Sequence, residues 1–108
     1  MSKSPELQGA LDLLILKTLA RGPNHGFGIT LHVQSASAGL LRVEEGSLYP
    51  ALHRLERDKL VSAAWKVTPN GRRARFYRLT AAGGRRLAEA EQSWSALAKG
   101  VAKVLRFA

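Results

Sequence analysis

From Leu7 to Ala20, apolar residues recur at helical spacing: Leu7, Leu11, Leu14, Ile15 and Leu19 make one stripe, Leu13 and Leu16 a second. A helix apolar on more than one face has two surfaces to cover, its own core and something else. Gly22 and Pro23 in "RGPN" stop it. A second helix is predicted through "HGFGITLHVQSAS", capped by Asn24, with Ile29, Val33 and Ala36 inward and Phe27 and Leu31 beside them. Gly26 and Gly28 each cost a helix about 1 kcal/mol relative to Ala, so their place in the first turn points to close packing. "SAGLLRV" reads as a loop with room for a short strand.

The next stretch, "EEGSLYPALHRLERDKLV", has leucines at helical spacing and a proline near its front. A proline inside a helix costs about 3 kcal/mol, whereas in the first turn it gives up little. Ser47 as N-cap puts Leu48, Tyr49 and Pro50 at the first three positions of a helix over 47–59. Leu48, Ala51, Leu52, Leu55 and the stem of Lys59 then face inward. Gly46, Pro50, His53, Arg54 and Arg57 face outward, with Tyr49 on the flank. A small flat front followed by a cationic row suits a helix that enters a DNA groove end-first.

After Leu60 the period changes to two. "LVSAAWKV" and "RFYRLT" are predicted strands of a hairpin, with Asn70-Gly71 as turn signal. A register that puts Ala63, Trp65, Tyr77 and Leu79 on one face needs a loop of three or five residues, with Asn70-Gly71-Arg72 at its tip. The hairpin then projects Lys66, Arg72, Arg73 and Arg75. Thr80 caps a last helix, in which Leu87, Trp94 and Val101 recur every seven residues, as do Ala90, Leu97 and Val104. Gly83 and Gly84 in its first turn allow tight packing on the hairpin.

The predicted fold is mainly α with a small β hairpin. It comprises a winged helix-turn-helix over 1–80 and a long C-terminal dimerisation helix, 81–108, that packs with helix 7–20. The dimer surface is expected from Leu7, Leu11, Leu14, Leu87, Trp94, Leu97, Val101 and Val104.

Charge narrows the function. The formal net charge is +9. Ten Lys/Arg stand against Glu56 and Asp58 between Arg54 and Arg86, a balance of +8 in one third of the chain. That is the electrostatic footprint of a polyanion binder. Arg and Lys neutralise phosphates and release counterions, Arg offers a planar fork to guanine, and His53 can donate to or accept from a base edge. The Tyr49 hydroxyl beside a helix N-terminus suits a phosphate oxygen. There is no cysteine, and Asp12 and Lys17 interrupt the N-terminal apolar run. A soluble, cytoplasmic protein is expected, with no membrane span.

The segments "LDLLILKTLARGPNHGFGI", "VEEGSLYPALHRLERDKLV" and "GRRARFYRLTAAG" resemble, in order, the PadR family of bacterial transcriptional regulators. The resemblance covers roughly residues 7–87, and "GSLYPALHRLE" is its most specific part. It implies a winged-helix homodimer that binds a palindromic operator, usually as a repressor. It also implies DNA contacts from Tyr49, Pro50, His53, Arg54, Arg72, Arg73 and Arg75; the capping Ser47, the outward Arg57 and the projecting Lys66 are added to this expected contact set. The single short C-terminal helix matches the family's smaller subgroup, so phenolic-acid sensing is not carried over.

Other functions fare less well. A structural RNA-binding protein explains the charge but leaves the heptad seam without a purpose. No enzyme constellation assembles from His25, His32, His53, Asp12 and Asp58, and His25 and His32 lie too far apart on one helix to share a metal. No cofactor is expected. His25 is read as satisfying the first turn of the second helix, and Glu56 as a surface ion-pair partner. Trp94 either packs in a dimer core or lines a pocket for a flat hydrophobic effector.

Overall fold

The computed structural model describes residues 5–107, with side chains from Gly9 onward. Elements follow in the order α1 (Pro5–Ala20), β1 (Asn24–His25), α2 (Gly26–Ala36), α3 (Glu45–Arg57), β2 (Val61–Val67), β3 (Arg73–Leu79) and α4 (Ala81–Arg106). Leu7 lies in α1, but its side chain is outside those described. Both apolar stripes of α1 are divided along the helix: toward its C-terminal end Ile15, Leu16 and Leu19 are buried, while Leu11, Leu13 and Leu14 before them are only partly covered. Ile29 and Val33 of α2 and Leu48, Leu52 and Leu55 of α3 complete the core, closed by Val61, Tyr77 and Leu87. Each such aliphatic side chain contributes about 1.5–3 kcal/mol on burial.

The sheet order is β1-β3-β2, all antiparallel. Ala63 pairs with Tyr77 and Val61 with Leu79, the register that sends one apolar face of the hairpin to the core. Its loop is residues 68–72, and the tip differs from expectation. The Thr68 carbonyl accepts from the Gly71 N–H at 2.9 Å, so Pro69 and Asn70 occupy the turn and Gly71 follows at φ 84°. Proline presets the φ of the first turn position, and only then is the glycine needed.

The two-residue β1 was invisible to periodicity, and it displaces the expected cap. Asn24 pairs with Tyr77 in the sheet, and His25 becomes the N-cap of α2. The His25 Nδ1 accepts from the Gly28 N–H at 3.0 Å, which fulfils the role read for this histidine. Gly28 leaves room for the Asn24 side chain, since a Cβ would fall 2.0 Å from its Oδ1 and force it to move. No strand forms in residues 37–43.

The start of α3 also needs correction. The helix begins at Glu45 with Glu44 as its cap, so Ser47 is its third residue rather than its N-cap. Pro50 is the sixth, inside the helix, and the Gly46 carbonyl gets no N–H from it. The fold tolerates this because Gly46 and Pro50 are both exposed, so water can take the freed carbonyl. At the other end Lys59 adopts φ 61°, and Leu60 donates to the Leu55 carbonyl at 2.9 Å, a left-handed cap. Its side chain is therefore exposed and its stem does not face inward.

Thr80 caps α4 as expected, with Oγ1 accepting from the Gly83 N–H at 3.0 Å. A Cβ on Gly83 would fall 2.0 Å from the Leu60 carbonyl, so the first turn of α4 lies flat on the start of the wing. Leu87, only 7 % exposed, belongs to the core of the chain itself and not to the expected dimer surface. Beyond it the seam is open: Trp94 is 50 % and Val104 71 % exposed, and Leu97 and Val101 are exposed as well.

Candidate nucleic-acid interface

Between α3, the start of α2 and the wing lies an open cleft of about 600 Å³. Tyr49, His53 and Glu56 form its α3 wall, Trp65, Arg73 and Arg75 its wing wall, and Phe27 its end. Helical spacing makes the first wall, since 49, 53 and 56 follow one another at four and three residues. Strand pairing makes the second, because the register opposes Trp65 and Arg75. The expected reading helix and wing thus present one continuous surface.

Tyr49 is placed by α2. A Cβ on Gly26 would lie 2.7 Å from the Tyr49 hydroxyl, so the phenol rests on a bare backbone patch at the N-terminus of α2. His53 and Arg57 are exposed. The Arg57 Nε donates to Asp58 Oδ1 at 3.3 Å, an exposed pair of small value. Ser47 is half-buried and Pro50 exposed, both on the wall of a second, apolar cavity of about 330 Å³ between α1, α3 and Leu41–Glu44.

Two arginines of the expected contact set are paired with carboxylates and only half-buried. The Arg54 Nη2 donates to Asp12 Oδ1 at 2.5 Å, tying α3 to α1, so Arg54 leaves the outward row. Burial pushes the Asp12 carboxyl above its ordinary value, with the Arg54 charge opposing that rise. The Arg75 Nη2 donates to Glu56 Oε2 at 2.6 Å across the cleft. Burial likewise raises the Tyr77 phenol beneath it, and the Arg75 charge works against that shift. Arg72 and Lys66 are exposed, with the Lys66 ammonium 5.7 Å from the Phe76 ring. Arg73 stacks on Trp65 at 5.2 Å, and the indole, 56 % exposed, is its platform.

Sequence reasoning placed Trp65 on the strand's apolar face but missed it as a site residue, and it read Glu56 as a mere surface partner. The register held the signal: pairing Ala63 with Tyr77 necessarily sets Trp65 opposite Arg75. Among the described residues no cluster of His, Asp or Glu could hold a metal ion, and no helix is long and apolar enough to cross a membrane.

A three-helix core with a basic wing beside its third helix defines a winged-helix DNA-binding protein. The chain belongs to the Transcriptional regulator PadR-like family, which it matches over residues 15–89. It is 39 % identical over 94 residues to the transcriptional regulator Rv3488 of Mycobacterium tuberculosis, covering 87 % of this chain and 84 % of that one. A PadR family transcriptional regulator from Eggerthella lenta superposes with TM-score 0.78 at 32 % identity, over 95 % of this chain and 88 % of that one. The PadR-like regulator BC4206 from Bacillus cereus gives 0.81 at 28 %, over 97 % and 100 %. The protein is a DNA-binding transcriptional regulator and not an enzyme.

Proposed function

We propose that the protein acts as a homodimeric repressor on a palindromic operator. The front of α3 enters the major groove, with Tyr49, His53 and Arg57 at or near it, and Lys66, Arg72 and Arg73 of the wing meet phosphates or the minor groove. The observation that carries this is the single surface on which α3 and the wing converge, with Arg57, Lys66, Arg72 and Arg73 exposed on those two elements. The seam of α4, with Trp94, Leu97, Val101 and Val104 exposed, supplies the dimer contact together with Leu11 and Leu14 of α1, neither of them fully buried. Residues 1–80 then form the reading head and 81–108 the dimerisation helix.

Selection of bound duplexes from a random library at about 150 mM salt tests this, since nonspecific affinity is weak there. An inverted repeat with half-sites about one helical turn apart is the expected product. Recovery of no motif, with binding that vanishes as salt rises, would leave a basic architectural protein instead.

One observation favours a role for Trp94 beyond packing. It borders a cleft of about 240 Å³ with Gly9, Ala10 and Leu13 of α1. A flat aromatic effector there would quench Trp94 and weaken operator binding together; indifference of both to a panel of planar aromatics would remove this reading.

A further inference from the structure

We propose that Glu56 and Arg75 form a strut that sets the angle between α3 and the wing, making both positioning residues for DNA rather than phosphate contacts. The proposal rests on the docking mode above and assigns a second role within it.

The wing is packed on the core only at its base, where Val61 and Tyr77 are buried; Trp65 and Val67 further out are exposed. The Glu56–Arg75 bond spans the cleft at that outer level, 2.6 Å long and half-buried at both ends. Arg75 is held from other sides as well. Its guanidinium lies 5.9 Å from the Trp65 ring centroid and close enough to the Tyr77 phenol for its charge to act on it. To reach a phosphate it would have to leave Glu56, stranding a carboxylate on the face that meets a polyanion. Charge-assisted bonds of this kind are worth more than neutral ones, and removing one partner leaves the other uncompensated. Arg73 differs: it is exposed over the Trp65 ring, and among the described residues it has no ion pair with a carboxylate. The adjacent arginines therefore divide the work, Arg73 for the backbone of the duplex and Arg75 for the geometry of the wing.

The sign of one substitution separates the alternatives. Glu56→Ala removes a negative charge from the DNA face, which by electrostatics alone tightens binding. A strut requires the opposite, a loss of about tenfold. Affinity for a selected inverted-repeat duplex is measured over a salt series for Glu56→Ala, Arg75→Ala, Arg73→Ala and the charge exchange Glu56→Arg with Arg75→Glu, each checked for an intact melting transition. Arg73→Ala should flatten log K against log salt by about 0.9 per subunit. Arg75→Ala should weaken binding with the slope unchanged, and the exchange should recover most of the affinity. Tighter binding by Glu56→Ala, or a slope loss in Arg75→Ala equal to that of Arg73→Ala, would make Arg75 a phosphate contact and overturn the strut. A folded exchange variant no better than Arg75→Ala would do the same. If Arg73→Ala and Arg75→Ala both leave affinity and slope unchanged, the wing is not the DNA surface, and the docking mode fails along with the strut.

Discussion

Gly26 separates a residue's value to binding from its value to stability. Its missing side chain is where the Tyr49 phenol lies, 2.7 Å from the position of a Cβ. Gly26→Ala should change stability little, because alanine favours the helix by about 1 kcal/mol while the tip of a tyrosine can swing aside. Operator affinity should fall, since the hydroxyl loses its place at the N-terminus of α2. Paired melting and binding curves would show this, and parallel losses in both would refute it. Asp12 gives a second test at this scale. Its carboxyl is held above the ordinary value by burial, so the folded state binds the proton more readily than the unfolded one. Its contribution to stability is thus greatest below the unfolded pKa and is lost as pH rises through the raised folded one. Melting of wild type and Asp12→Asn should differ in pH slope across that window, the variant lacking the decline. Identical slopes would show that Arg54 cancels the desolvation.

Among the elements, α3 ends on a strained residue, as α2 does at Ala38. Lys59 ends it at φ 61°, a conformation costing a residue with a Cβ about 1–2 kcal/mol and glycine little. Lys59→Gly should therefore raise stability by about 0.5–1 kcal/mol, the gain trimmed by glycine's greater freedom when unfolded; an unchanged denaturation midpoint would count against it. Inward positions of α3 were legible because Leu48, Leu52 and Leu55 repeat at helical spacing, and the hairpin register because only one parity buries Tyr77. The ends of elements were not. Ser47 and Asn24 are good caps by type, but Glu44 and His25 took those places, one because the helix extends ahead of Pro50, the other because a two-residue strand absorbed Asn24. The site was half legible for the same reason. Exposed cations follow from periodicity, whereas Arg54 and Arg75 are engaged by Asp12 and Glu56, partners 42 and 19 residues away that no local pattern reveals.

At the scale of the whole molecule, shape and charge make opposite demands. The chain spans 56 × 29 × 29 Å, elongated by an α4 that reaches about 39 Å at 1.5 Å per residue, well past its last core residue, Leu87. Two copies at +9 each repel, so an association must bury enough apolar surface to outweigh that, and it must do so away from the basic face. The exposed row Trp94, Leu97, Val101 and Val104 meets both conditions: large exposed apolar faces mark interaction sites, and its residues lie outside the cleft between α3 and the wing. Val101→Glu puts a charge in the middle of that row without touching the protomer's own core. The variant should keep its helical circular dichroism, run as a monomer by light scattering, and lose about 10²–10⁴ in operator affinity, because the second half-site is no longer delivered by the first. A variant that stays dimeric would move the interface elsewhere. A monomer that still binds the full operator with wild-type affinity would show that one reading head suffices, and the two-fold operator would lose its reason.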